Sequence, residues 1–107
     1  MINVREVCEK VVDGCFRMDV VQAISEEIAN SLQSHGDLST EDNHFRALAI
    51  LIEEVGEVSR ALLELRRQRS IGKLLTPDEQ ALKKHVIDEL VQLVSVSLQL
   101  IHNLRKQ

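Results

Sequence analysis

The 107 residues carry a formal net charge of −4, which excludes the basic surface that general nucleic-acid binding needs. Hydrophobic residues make up 44% and aromatics only 2%, so a modest core must be built from Leu, Ile, Val and Ala. No apolar run approaches the ~18 residues of a membrane span, and the charged start MINVREVCEK does not read as a secretory signal.

One proline and four glycines favour helices over sheet, and a single all-α domain over residues 1–107 is expected. The first two helices are predicted at 2–12 and 16–34, parted by Asp13-Gly14, or as one kinked helix if Gly14 is tolerated. Cys8 and Cys15 form neither a CxxC motif nor a disulfide framework, and read as reduced thiols of a cytoplasmic protein. Gly36 ends the second helix and a polar loop, Asp37 to Asp42, follows. The third helix is predicted over 40–69, with Ser39 or Thr40 as N-cap and Arg66, Arg67 and Arg69 near its C-terminus. Thr76-Pro77-Asp78-Glu79 marks the start of the last helix, combining an N-cap threonine, a first-turn proline and a capping-box glutamate. That helix is predicted to run to Asn103 or beyond, and no segment has the period of a strand.

Two acidic clusters interrupt the apolar stripes of these long helices. Glu53-Glu54-Val55-Gly56-Glu57 lies within LAILIEEVGEVSRALLEL, and Asp88-Glu89-Leu90-Val91-Gln92 within HVIDELVQLVSVSLQLI. Helical spacing puts Glu54 amid Ala47, Ile50, Leu51, Val58, Ala61 and Leu65, and Glu89 amid Leu82, Val86, Leu93, Val96 and Leu100. The two patterns repeat at one constant offset, as two helices facing across one seam would require. A carboxylate central in a core stripe is costly unless a cation meets it. Glu54 and Glu57, three residues apart, reach one point from one helix, and Glu89 and Gln92 repeat the spacing. The acids read otherwise as solvated, or as a structural buried network in which Gln92 hydrogen-bonds a glutamate; the shared cation that suits these oxygen donors is Mg²⁺, with Mn²⁺ as the alternative.

The last helix carries a further polar line, Asp88, Gln92, Ser95, Gln99 and His102, which reads either as a solvated edge or as the wall of a pocket for a polar ligand. Ser95 and Gln99 are the substrate-binding candidates from it. Leu90, Val94, Leu98 and Ile101 fall opposite the glutamate face, and a helix apolar over so much of its circumference points to a subunit interface. His35, His44, His85 and His102 have no zinc spacing, although His35 and His44 bracket the loop before the acidic helix and are candidates for the pocket. Among the basic residues flanking the turn between the acidic helices, Lys84 is the candidate for phosphate contact. There is no phosphate-binding glycine loop, GxSxG motif or Cys/His nucleophile pair, so any chemistry must come from metal and carboxylates.

The string ILIEEVGEVSRALLE, followed by DELVQLVSVSLQLI, resembles the MazG-like branch of the all-α nucleoside triphosphate pyrophosphohydrolases, whose signature is EExxE, a spacer and ExxD. Glu53, Glu54 and Glu57 match the first half and Glu89 opens the second, while Gln92 stands where the pattern has Asp. The approach SLQSHGDLSTEDNHFRALAILIEEVGE also resembles the subgroup with a His-Gly step and a His before the acidic helix, so the likeness covers roughly residues 20–104. The resemblance implies a four-helix bundle assembling as a homodimer or tetramer. It implies Mg²⁺-dependent cleavage of (d)NTP to (d)NMP and pyrophosphate in a house-cleaning role, with no nucleic-acid polymer or membrane as partner. It also implies metal ligation by Glu54, Glu57 and Glu89, assisted by Gln92, and an attacking water oriented or deprotonated by Glu53. The absence of Trp and Tyr leaves the family's base-stacking aromatics without a counterpart. The neutral Gln92 keeps a second expectation open, a non-catalytic helical module that binds nucleotide or a partner. A phosphoribosyl-ATP pyrophosphohydrolase shares the chemistry, but its fuller motif is not found.

Overall fold

The computed structural model describes residues 1–36, 44–70 and 77–106. They form four helices and no strand: α1 (Val4–Cys15), α2 (Met18–His35), α3 (His44–Ser70) and α4 (Pro77–Lys106). The all-α architecture expected from composition and period is therefore present. None of these helices is long and apolar enough to cross a membrane.

The break between α1 and α2 falls later than expected. Gly14 is accommodated inside α1, and the chain turns at Phe16 and Arg17, where the Phe16 N–H still donates to the Val12 carbonyl. A glycine within a helix costs only about 1 kcal/mol relative to alanine, too little to force a break by itself. Asn3 caps α1 by accepting from the Glu6 backbone N–H at 3.1 Å. Gly36 ends α2 as expected, with φ 76°, a left-handed conformation open to glycine at little cost. The caps expected from Ser39, Thr40 and Thr76 lie outside the described residues.

The main packing is α3 against α4 and α2 against α4, which makes α4 the central helix. Between α3 and α4 the buried positions are those of the two predicted stripes. Ile50 and Val96 pack together with Leu51 at their edge. Farther along, Ala61, Leu65 and Val86 form a second cluster flanked by Leu82. Ala47 and Val58 complete the buried face of α3. Small and branched side chains let two long helices approach closely without aromatics. All of α1 is exposed, although Val4, Val7, Val11 and Val12 share one side of it at helical spacing.

Leu90, Val94, Leu98 and Ile101 lie along the outer side of α4, each at least 40% exposed. Phe45, Leu48, Ile52, Val55, Leu62 and Leu63 leave a similar apolar surface on α3.

Candidate functional site

The α3–α4 seam brings Glu54, Glu57 and Glu89 into one electrostatic cluster. Glu54 and Glu57 face it from successive turns of α3, and Glu89 faces it from α4. Glu89 is only 6% exposed. Its Oε1 lies 3.9 Å from Nε2 of the exposed His85, one turn earlier, while its Oε2 is buried with no hydrogen-bond partner. Glu54 repeats the pattern, half-buried with Oε2 unpartnered. Glu57 has an ion-pair partner in Arg60, with the guanidinium 3.3 Å from Oε1.

Both orphaned carboxyls are held above the ordinary carboxylate value of 4.5. For Glu54 burial is the main cause, reinforced by the negative charges of Glu89, Glu57, Glu53 and Glu27. For Glu89 burial again comes first, then the charge of Glu57, while His85 acts in the opposite direction. Burial and mutual repulsion thus favour protonation, and a cation would relieve the same stress. The donor set is all oxygen, which suits a hard divalent ion such as Mg²⁺ or Mn²⁺. Two buried carboxylate oxygens lacking any partner are what such an ion could satisfy. Among the described residues, however, no three carboxylate, imidazole or thiol groups already stand close enough to close around one ion, so side-chain rotation would have to complete the shell.

Beside the cluster, a cavity of about 170 Å³ opens between α2, α3 and α4. Glu54 forms part of its wall from α3, and Gln92, Ser95 and Val96 contribute from α4. The remainder comes from α2: Glu27, Asn30, Ser31, Ser34 and His35. Among the described residues the wall carries three ionisable side chains, two glutamates and a histidine, and no lysine or arginine. Ser95 is 1% exposed, and its hydroxyl donates to the Val91 carbonyl at 2.7 Å, with the Ile24 carbonyl of α2 at 3.4 Å. Gln99, one turn farther on, donates through Nε2 to the Ser31 hydroxyl and to the Ser95 carbonyl, each at 3.3 Å. Its Oε1 is buried and unpartnered. These contacts across α2 and α4 resolve two readings of the polar line on α4. Its middle, Ser95 and Gln99, is buried against α2, while Asp88 and His102 at its ends are exposed.

The remaining candidates are dispersed. Glu53 is exposed, one residue off the face that Glu54 presents to the cavity. Gln92 is half-buried in the cavity wall, whose lining does not include Glu89. His35 lines the cavity at the end of α2, whereas His44 is half-buried at the start of α3 and outside the lining. Lys84 is also outside it: its ammonium is 2.9 Å from Asp88 on the exposed side of α4. Cys8 and Cys15 are exposed free thiols.

Four wall residues were not anticipated from the sequence: Glu27, Asn30, Ser31 and Ser34. They do carry a signal, a polar stripe on α2 at spacings of three, four and seven residues, running parallel in character to the polar line of α4. Comparisons with family models, curated proteins and solved structures return no match. The MazG-like resemblance therefore rests on the EEVGE and ELVQ motifs themselves.

Proposed function

We propose that this chain is a Mg²⁺-dependent nucleotide pyrophosphohydrolase of the MazG-like kind, cleaving (d)NTP to (d)NMP and pyrophosphate. The observation that carries this reading is the pair of unpartnered, buried carboxylate oxygens on Glu54 and Glu89 beside a polar cavity. Apolar side chains at these two positions would pack the seam at less cost, so the carboxylates argue for a bound cation.

In this reading Glu54, Glu57 and Glu89 would hold the ion, with Gln92 as a further oxygen donor. When bound, the ion supplies charge neutralisation for a polyphosphate and for the charge that develops on it as the bond breaks. Glu53, exposed at the edge of the acidic face, accepts a hydrogen bond from the attacking water and takes its proton. Asn30, Ser31, Ser34 and His35 on α2 offer hydrogen bonds to the polar edges of the sugar or base. With no Phe, Tyr or Trp among the described residues of the wall, recognition rests on hydrogen bonding rather than stacking. A house-cleaning role, with tolerance for more than one base, suits such a pocket. The exposed apolar rows on α3 and α4 fit a homodimer or tetramer.

One feature favours a second reading, a binding module without turnover. Gln92 occupies the place of a carboxylate, and a neutral amide oxygen is a weaker ligand for Mg²⁺. Pyrophosphate release from a panel of NTPs and dNTPs with Mg²⁺ separates the two. The enzyme releases pyrophosphate from at least one of them and loses that activity in Glu54→Gln. Nucleotide binding by calorimetry without pyrophosphate release would establish the binding module in its place.

A further inference from the structure

We propose that α1 pairs with α1 of a second copy of this chain, parallel and in register about a two-fold axis, along the stripe of Val4, Cys8, Val11 and Cys15. The inference rests on the oligomer of the reading above and adds to it a contact outside the outer rows of α3 and α4. It depends on neither the metal nor turnover.

No residue of α1 is buried, yet the helix is sharply two-faced. Val4, Cys8, Val11 and Cys15 recur at spacings of four, three and four, the a and d positions of a heptad, and so follow one line along the helix. Val7 flanks that line on one side and Val12 on the other. All four valines are about half exposed or more, and both cysteines are exposed free thiols. The charged side chains occupy the remaining face and largely satisfy one another. Arg5 lies 3.1 Å from Glu9 and Lys10 lies 3.0 Å from Glu6, while Asp13 falls opposite the stripe.

A second α1 is the occupant that this pattern fits. In a parallel pair each a or d residue meets its own counterpart, and a g residue meets the e residue five places on in the other helix. Val7 of one copy then packs on Val12 of the other, so all six uncharged side chains of the stripe and its flanks are covered and no acid enters the seam. An antiparallel pair brings like flanks together, setting Val12 beside Arg5 and Val7 beside Gly14, which covers less apolar surface. A membrane surface suits the helix poorly, because its polar face carries three acids against two bases.

The area decides how the pair is held. The 1.5–3 kcal/mol of a fully buried aliphatic side chain corresponds to ~60–120 Å² at ~25 cal/mol per Å². Six half-exposed side chains from each copy therefore bury on the order of 400–700 Å², short of the ~1,000 Å² of a specific interface. The seam thus works beside the exposed rows of α3 and α4, whose contact tethers the two α1 helices and raises their effective concentration to about the millimolar range.

The chain's own thiols provide the test, by disulfide trapping with diamide on wild type, Cys8→Ser and Cys15→Ser. Asp13→Cys in the Cys8→Ser/Cys15→Ser background puts a thiol opposite the stripe and measures trapping by collision alone. Light scattering gives the mass of each protein before oxidation, and circular dichroism checks that each is folded. Cys8→Ser should be trapped as a dimer through Cys15, and Cys15→Ser through Cys8, each roughly tenfold faster than the Asp13→Cys control or more. Mass spectrometry of oxidised wild type should find Cys8 linked to Cys8 and Cys15 linked to Cys15. Links between Cys8 and Cys15 in their place overturn the parallel register. Trapping no faster than the control, in a protein of dimeric or higher mass, overturns the α1 pairing, leaves the oligomer reading standing and gives the stripe to a different partner. A monomeric wild type at micromolar concentration overturns both.

Discussion

Glu89→Gln separates a buried carboxylate kept for a cation from an ordinary structural acid. Glu89 is 6% exposed, and its Oε2 has no partner. A buried polar group left unsatisfied costs about 1–3 kcal/mol, and a charged one costs more. Gln is nearly isosteric, removes the charge beside Glu54 and Glu57, and adds an amide that can donate to either. At neutral pH without divalent ions, the variant should be more stable by about 1–3 kcal/mol. For a domain near this size each kcal/mol moves Tm by ~4–8 °C. Excess Mg²⁺ reverses the order: wild type gains ~2.7 kcal/mol when the ion is at a hundred times its Kd, and the variant gains little. Thermal unfolding followed by circular dichroism, in chelator and then in Mg²⁺, measures both differences. A Glu89→Gln protein that melts below wild type in chelator would refute the reasoning, because Glu89 would then be stabilised by its surroundings.

The same carboxyls set a pH dependence. Glu54 and Glu89 have folded pKa values raised above 4.5, so the folded chain holds their protons more tightly than the unfolded chain. Their contribution to metal-free stability is full below 4.5 and is lost as pH rises through the folded values; Tm in chelator should fall over that window, and the double variant Glu54→Gln/Glu89→Gln should flatten the slope. Leu65→Ala opens a void against Ala61, Val86 and Leu82, and should lower unfolding free energy in urea by ~2–5 kcal/mol without altering helix content in the native state. Leu98→Glu puts a charge on the outer row of α4, and if the proposed homo-oligomer forms through that row, light scattering should show a shift toward monomer relative to wild type; an unchanged mass would refute that interface.

Much of the α3–α4 pair was legible because its signal is local. Ala47, Ile50, Val58, Ala61 and Leu65 recur at helical spacing, and so do Val86 and Val96, so each buried face follows from the period alone. Glu54 and Glu89 stood out for the same reason: each breaks an apolar stripe at its centre. Gln92 followed from the spacing within one helix. Gly14 left two readings open because a single glycine is a weak signal; it is tolerated inside α1, and the chain breaks two residues later.

Which helix covers the open side of α4 was not legible. A polar stripe such as Glu27, Asn30, Ser31 and Ser34 reads in isolation as a solvated face, because water satisfies such groups on most helices. Its meaning changes only when α2 lies against α4, where Gln99 bonds Ser31, the Ser95 hydroxyl approaches the Ile24 carbonyl, and Glu27 shares a cavity with Glu54. Lys84 shows the converse: its sequence neighbourhood suggested phosphate contact, but its helical turn points it at Asp88. Periodicity depends on residues three and four apart, so the chain by itself determined which faces of α3 and α4 are buried. The pairing of α2 with α4 depends on residues about seventy apart, and only the tertiary structure decided that a polar stripe would become the wall of a cavity.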